Sequence, residues 1–276
     1  MNRIIFFFIT FVTIFQTAFA EYSFFANAPT GQRIFYKIIG NNVTVCCPGN
    51  DINHPGPWEG YTKPTGSLTI PSNVTYNGTI YTVTEIGSRA FETCVGLASV
   101  TIPNTVTSVG SRAFYECTNL TSVNIGNSVH DINMSSFEYC SNLTSLVIPN
   151  SVVYIGHSAF ESCDALSSLT LGNAVESIEN SAFRDCTSLA SIYIPSSVQS
   201  IASNAFQSCS GLISIAVSSN NSYYDSRNSC NAIIRTSTND LIVGCKNTVI
   251  YNPQNKLSAY HKTNCTCLGQ MNMYNL

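Results

Sequence analysis

The sequence predicts a mainly β solenoid: a right-handed parallel coil of stacked repeats, with short helical or 3₁₀ turns on its convex side and β-hairpin caps. Three observations carry this. Phe91, Phe114, Phe137, Phe160, Phe183 and Phe206 recur at a constant step of 23 residues. Cys94, Cys117, Cys140, Cys163, Cys186 and Cys209 keep the same step, so half of the 12 cysteines belong to one register. Each unit also carries a short alternation of apolar and polar residues, the pattern of a strand. Repetition at such a period is the signature of stacked units that cannot bury their apolar faces alone.

In chain order, residues 1–20 read as a secretory signal peptide. Asn2-Arg3 give a short positive start, Ile4 to Phe15 an apolar run, and Ala18-Phe19-Ala20 a small-x-small cleavage site. The run is too short to span a bilayer comfortably and no second one follows. The mature chain is therefore expected to start at Glu21, without a transmembrane segment, in a disulfide-permissive compartment.

Residues 21–85 are expected to form an N-terminal hairpin cap and a lead-in strand. Arg33 to Cys47 alternates through Ile34, Tyr36 and Ile38, turns at Asn41-Asn42 and returns through Val43 and Val45. A second hairpin is signalled by Val74-Thr75-Tyr76, Asn77-Gly78 and Thr79-Ile80-Tyr81, because Asn-Gly readily takes the positive φ angles of a type I′ turn. Between them, Cys47 to Pro64 is rich in Pro, Gly and Asn and reads as loop.

Residues 86–222 hold the repeats, six copies with no insertion or deletion. In Leu97 to Pro103, Val100 and Ile102 face one side while Ser99, Thr101 and Pro103 face the other. Copies stacked about 4.8 Å apart complete a parallel sheet and a continuous core. A fully buried Phe contributes roughly 1.5–3 kcal/mol, so six make the ladder core and not a cofactor box. Gly87, Gly110 and Gly156 are replaced by Asn133, Glu179 and Ala202 in the other units, which argues against a strict positive-φ requirement there. Ser88 to Cys94 and its equivalents are too short for a long helix and read as a helical turn or 3₁₀ piece. Stacked ladder cysteines point the same way, so their thiols are expected to stay buried and unbridged.

Residues 223–250 form a C-terminal hairpin module, with Ala232-Ile233-Ile234 and Leu241-Ile242-Val243 flanking the turn. Pairing Ala232 with Val243 would set Cys230 opposite Cys245, a candidate cross-strand disulfide. Residues 251–276, from Tyr251-Asn252-Pro253 on, are a tail without periodicity, with no recognisable cap after Ile250.

The 23-residue unit falls in the leucine-rich repeat range. Its string, Ile86 to Val106 and the later copies, resembles the BspA-like leucine-rich repeat surface proteins. Trp58 to Tyr61 with Ser67 to Pro71 resembles the lead-in of that family, and Tyr224 to Lys246 its inserted hairpin module. The resemblance spans roughly residues 32 to 250 and is specific, because six copies in register are hard to reach by chance. It implies a secreted or cell-surface protein of bacterial or protozoan kind that binds host or microbial surface molecules, matrix proteins such as fibronectin and fibrinogen among them. It implies no catalytic residue.

Charge argues against a nucleic-acid partner. Twelve Lys and Arg against fifteen Asp and Glu leave a net charge of −3, with no basic surface for nucleic acid. His54, His130, His157 and His261 lie in unrelated contexts, and no nucleophile, zinc or phosphate-loop motif occurs, so no enzyme activity is expected. Cys265-Thr266-Cys267 with His261, and Cys46-Cys47, lack paired knuckle spacing; neither metal nor cofactor is expected. Glu92, Glu138 and Glu161 form a column that Tyr115, Arg184 and Gln207 interrupt, read as a solvated convex stripe. Asn119-Leu120-Thr121 and Asn142-Leu143-Thr144 match glycosylation sequons, but both belong to the repeat consensus.

The outward strand face remains as the candidate ligand surface. Its first column, Ser99, Ser122, Ser145, Ser168, Ser191 and Ser214, is uniform and reads as structural. Its second, Thr101, Asn124, Val147, Thr170, Tyr193 and Ala216, varies, and Tyr193 is its aromatic anchor. Two functions stay open: an adhesin-like module for an extracellular protein or glycan, or a structural or assembly solenoid, in the latter case a truncated family member.

Overall fold

The computed structural model describes residues 22–49, 57–227, 230–246 and 248, and within them the chain winds as a mainly β solenoid. The signal peptide, His54, the Cys265-Thr266-Cys267 cluster with His261 and the tail after residue 250 lie outside the described residues. The N-terminal cap comprises β1 (Phe24–Asn27), β2 (Arg33–Ile39) and β3 (Asn42–Cys46), followed by β4 (Gly66–Thr69), β5 (Asn73–Tyr76) and β6 (Thr79–Ile86). Both predicted hairpins form, the first turning at Gly40-Asn41, one residue before the expected Asn41-Asn42. The second closes at Asn77-Gly78 with φ of 49° and 78°, the two positive angles a type I′ turn requires. β3 then runs parallel to β6, so the cap extends the sheet of the repeats and does not merely cover it.

Each repeat supplies two strands. The outward set is β7 (Leu97–Thr101), β9 (Ser122–Asn124), β11 (Ser145–Val147), β13 (Ser168–Thr170), β15 (Ser191–Ile194) and β17 (Ser214–Val217). Behind it run two-residue strands: β8 (Ser108–Val109), β10 (Asp131–Ile132), β12 (Tyr154–Ile155), β14 (Ser177–Ile178) and β16 (Ser200–Ile201). This back set forms one unbroken parallel ladder with the cap, in the order β1-β2-β3-β6-β8-β10-β12-β14-β16. Two residues are too few to show alternation, which is why the sequence pattern did not separate them. The outward strands, in contrast, fall into three sheets: β4-β7-β9, β11-β13 and β15-β17.

The Phe column is the core. Successive rings stack at 5.0–5.3 Å with planes within 15° of parallel, and all six are buried. Trp58 heads the stack, its ring 6.3 Å from that of Phe91 and its Nε1 donating to the Ala90 carbonyl at 3.2 Å. The lead-in thus supplies a further rung that the spacing of Phe residues alone does not show.

The convex turns contain no helix, and their hydrogen bonding explains why. The Arg89, Phe91 and Thr93 N–H groups donate to Ser111, Ala113 and Tyr115 of the next repeat, while Ala90, Glu92 and Cys94 donate three residues back. Arg89 and Thr93 take φ of 60° and 57°, and the corresponding pair recurs at Arg112 and Glu116, Ser135 and Tyr139, Ser158 and Ser162, and Ser181 and Asp185. A left-handed L-residue costs about 1–2 kcal/mol, which the bonds to the next repeat offset. Alternating between-repeat and within-turn bonds leaves no run of helical bonds. Gly87, Gly110 and Gly156 do not take positive φ, in line with the mixed residue types of that column.

The ladder thiols from Cys94 to Cys186 are buried and form no disulfides. Each from Cys117 onward donates to the carbonyl of the Phe before it in the stack: Cys117 to Phe91 at 3.2 Å, Cys140 to Phe114 at 3.3 Å, and so on to Cys209 with Phe183 at 3.1 Å. Burial pushes the Cys117 thiol up to about 12 and those of Cys140, Cys163 and Cys186 well above their ordinary range.

At the C-terminal end β18 (Tyr224–Asp225), β19 (Ala232–Arg235) and β20 (Leu241–Gly244) form their own antiparallel sheet. This module packs on the last repeat. The Tyr224 hydroxyl accepts from the Ile201 N–H at 2.8 Å, the Asn221 amide donates to Pro195 and Val198 carbonyls, and the Lys246 N–H reaches Leu212. The expected register is also corrected. Ala232 pairs with Gly244 and Ile233 with Val243, with an irregularity before Ile234, so Cys230 and Cys245 are not opposite and are not bonded to each other. Cys245 donates instead to the Asn231 carbonyl at 3.3 Å.

Candidate functional site

The solenoid holds the variable column on its outward strands, where alternation turns every second side chain to solvent. Asn124, Val147, Thr170 and Tyr193 are exposed and Thr101 is half-buried. Val147 at 62% and Tyr193 at 54% are among the most exposed large apolar side chains of the described residues. The inward partners Val100, Leu146 and Ile192 are buried in the core, which fixes the rungs that carry Thr101, Val147 and Tyr193. The Ser column lies beside them, and Ser99 Oγ donates to Ser67 Oγ at 2.9 Å, so the column begins in the lead-in strand.

The column is not one even ladder. Thr101 is in register with Asn124, Val147 with Thr170, and Tyr193 with Ala216, whereas no strand pairing joins Asn124 to Val147 or Thr170 to Tyr193. No charged side chain belongs to either outward column. The face can therefore offer hydroxyl and amide hydrogen bonds and apolar contact. Among the described residues no cluster of three metal-ligating side chains occurs.

The convex side has a different chemistry. Glu92 is buried, which corrects the reading of its column as a solvated stripe; it bonds the Arg89 guanidinium and lies 3.8 Å from that of Arg112. Further along, Glu161 lies 3.8 Å from Arg184. Arg112 stacks over Tyr115 at 4.7 Å, and the Tyr115 and Tyr139 rings meet edge-on at 5.5 Å. Burial first, then the neighbouring Glu116 and Glu138 carboxylates, push the Tyr115 hydroxyl up to about 12. Burial likewise raises Glu138. Arg112 and Arg184 thus reach back to the Glu of the preceding rung, Glu92 and Glu161. His130 and His157 are exposed, as polar surface positions of the repeat.

The pattern of the "BspA type Leucine rich repeat region" matches in 6 copies, over residues 67–163 and 130–253. This chain belongs to the BspA-type leucine-rich repeat family. Solved structures agree. A leucine rich cell surface protein of Faecalibacterium prausnitzii is 26% identical with a TM-score of 0.54, over 84% of this chain and 62% of that one. The T. pallidum leucine rich repeat protein is 27% identical, TM-score 0.56, over 71% of this chain and 78% of that one. The pneumococcal vaccine antigen PcpA, 24% identical with a TM-score of 0.64 over 81% of this chain and 56% of that one, shares the fold. This BspA-type chain thus spans about three fifths of the Faecalibacterium protein. No curated protein matches it.

Proposed function

We propose that this BspA-type chain is a secreted or cell-surface, non-enzymatic binding protein that holds an extracellular protein or glycan on its outward strand face. The observation that carries the reading is the contrast between columns: uniform Phe, Cys and Ser rungs support one variable column with exposed Val147 and Tyr193. An exposed aromatic on a rigid strand gives contact area at low entropy cost. The signal-peptide reading of residues 1–20 supports export, and the Faecalibacterium relative is described as a cell surface protein. Among the described residues no helix is long and apolar enough to cross a membrane.

Recognition on such a face is weak per rung and multivalent, since each rung offers little area, and clustering raises avidity by about 10²–10⁴ without new contacts. The test is binding of the purified chain, monomeric and clustered, to a panel of matrix proteins, fibronectin and fibrinogen included, and glycans. Binding that strengthens on clustering and falls with Tyr193→Ser but not with Glu161→Ser is expected. Tight monomer binding that survives Tyr193→Ser and is lost with Glu161→Ser overturns the assignment of the face. No binding to any panel member in clustered form would favour a structural or assembly solenoid instead.

A further inference from the structure

The breaks between outward strands follow a sequence rule. Strands β4, β7, β11 and β15 run into Ile-Pro, at Pro71, Pro103, Pro149 and Pro195, and each pairs with the next outward strand. Strands β9 and β13 run into Gly126 and Gly172, and neither pairs onward. Proline restricts the residue before it to extended backbone. Ile70, Ile102 and Ile148 accordingly stay extended, and their N–H groups donate to Thr101, Asn124 and Thr170 carbonyls at 3.0, 2.9 and 2.9 Å. Ile125 and Leu171 make no such bond to the next rung.

A second observation agrees. A Cβ on Gly126 would sit 2.3 Å from the Pro103 carbonyl oxygen, and one on Gly172 would sit 2.2 Å from that of Pro149. The Gly rungs therefore press back onto the Pro rung before them, and no strand pairing joins them to the one after, although the Thr144 N–H still donates to the Thr121 carbonyl at 3.2 Å. At the two breaks, Val123 and Leu169 are only half-buried, while Val100, Leu146 and Ile192 on the Pro rungs are buried. Each seam thus has a polar lip, Asn124 or Thr170, an apolar lip, Val147 or Tyr193, and a partly uncovered aliphatic floor. Both of the most exposed anchors of the face stand on the far lip of a seam.

We infer that the two seams are equivalent contact sites for one uncharged, proline-rich peptide segment in polyproline II conformation, lying along the solenoid axis. The inference rests on the strand-face reading above and names its partner class. Two rungs of about 4.8 Å set equivalent seams roughly 9.6 Å apart, close to the turn of about 9.3 Å that three polyproline II residues make. Every third residue can therefore meet Val147 and then Tyr193. A polyproline II backbone has no internal hydrogen bonds, so its carbonyls are free to accept from Asn124, Thr170 and the Ser column. A charge-free face suits a charge-free segment, because a buried unpaired charge would be costly.

The probe is a synthetic peptide of repeated Pro-Pro-Ser triplets, with a Gly-Ser peptide of equal length as control, titrated against the full chain. Binding of the first alone is expected, weakened roughly tenfold by either Val147→Ser or Tyr193→Ser and more by both. Amide exchange provides a second readout that does not depend on a variant folding: Ile125 and Leu171 should exchange faster than Ile102 and Ile148 and slow when the peptide binds. Equal exchange at the four amides, or peptide binding indifferent to both substitutions, overturns the inference. Matrix-protein binding that needs Tyr193 while the Pro-Pro-Ser peptide gives no signal also overturns it, and leaves the strand-face reading standing.

Discussion

The back strands and the outward strands are produced by the same 23-residue step, yet the first form one continuous ladder and the second are cut into three sheets. In the back set each pairing is the same: Asp131 with Ser108 and with Tyr154, Tyr154 with Ser177, Ser177 with Ser200. In the outward set, pairing depends on whether the strand ends in Pro or Gly. An identical register brings strands side by side, but the residue that ends each strand decides whether it stays extended long enough to bond. The uniform side carries the stability of the fold, and the interrupted side carries its variation.

The largest expected effect falls on what both sets share. Phe137 is packed between Phe114 and Phe160, so Phe137→Ala should cost about 3–5 kcal/mol, measured by chemical denaturation. An unchanged midpoint would mean the ladder is not the core. Next, Gly172→Ala forces a Cβ against the Pro149 carbonyl and should destabilise by about 1–3 kcal/mol. Pro149→Ala, which adds no bulk and only relaxes Ile148, should cost less; the reverse order would break the Pro-Gly account of the seams.

The thiol column gives a pH test of the uniform side. A group whose pKa is raised in the fold contributes stability that is complete below its unfolded pKa and is lost as pH rises towards the folded one. For Cys117 that window runs from the ordinary 9.0 to about 12. Thermal stability should therefore decline as pH rises above 9, and the ladder thiols should resist alkylation below it until the chain unfolds. Rapid labelling of Cys140 in the native chain at pH 8.5 would contradict its burial.

The smallest effect on stability is expected at the variable column. Tyr193→Ser removes an exposed side chain and should change stability by less than about 0.5 kcal/mol while reducing ligand binding. With no charge in the outward columns, that binding should vary little between low and physiological salt. A steep salt dependence would move the contact to the charged convex side around Glu161 and Arg184.

The sequence by itself determined the solenoid, its period, the burial of the Phe and Cys columns and the two N-terminal hairpins. Each of these follows from local pattern: a constant step puts like residues in one column, and Asn77-Gly78 fixes its own turn. The alternation of Pro103, Gly126, Pro149, Gly172 and Pro195 is equally plain in the chain, but its meaning depends on where neighbouring rungs touch. Only the tertiary structure shows that Gly126 and Gly172 press on the carbonyls before them and that no strand pairing joins Asn124 to Val147 or Thr170 to Tyr193. It likewise decided that Trp58 heads the Phe stack, that Glu92 is buried between two arginines, and that the C-terminal hairpin pairs Ala232 with Gly244. Periodicity specifies which residues share a column; the distance between columns, and the bonds across it, come from packing that no single repeat contains.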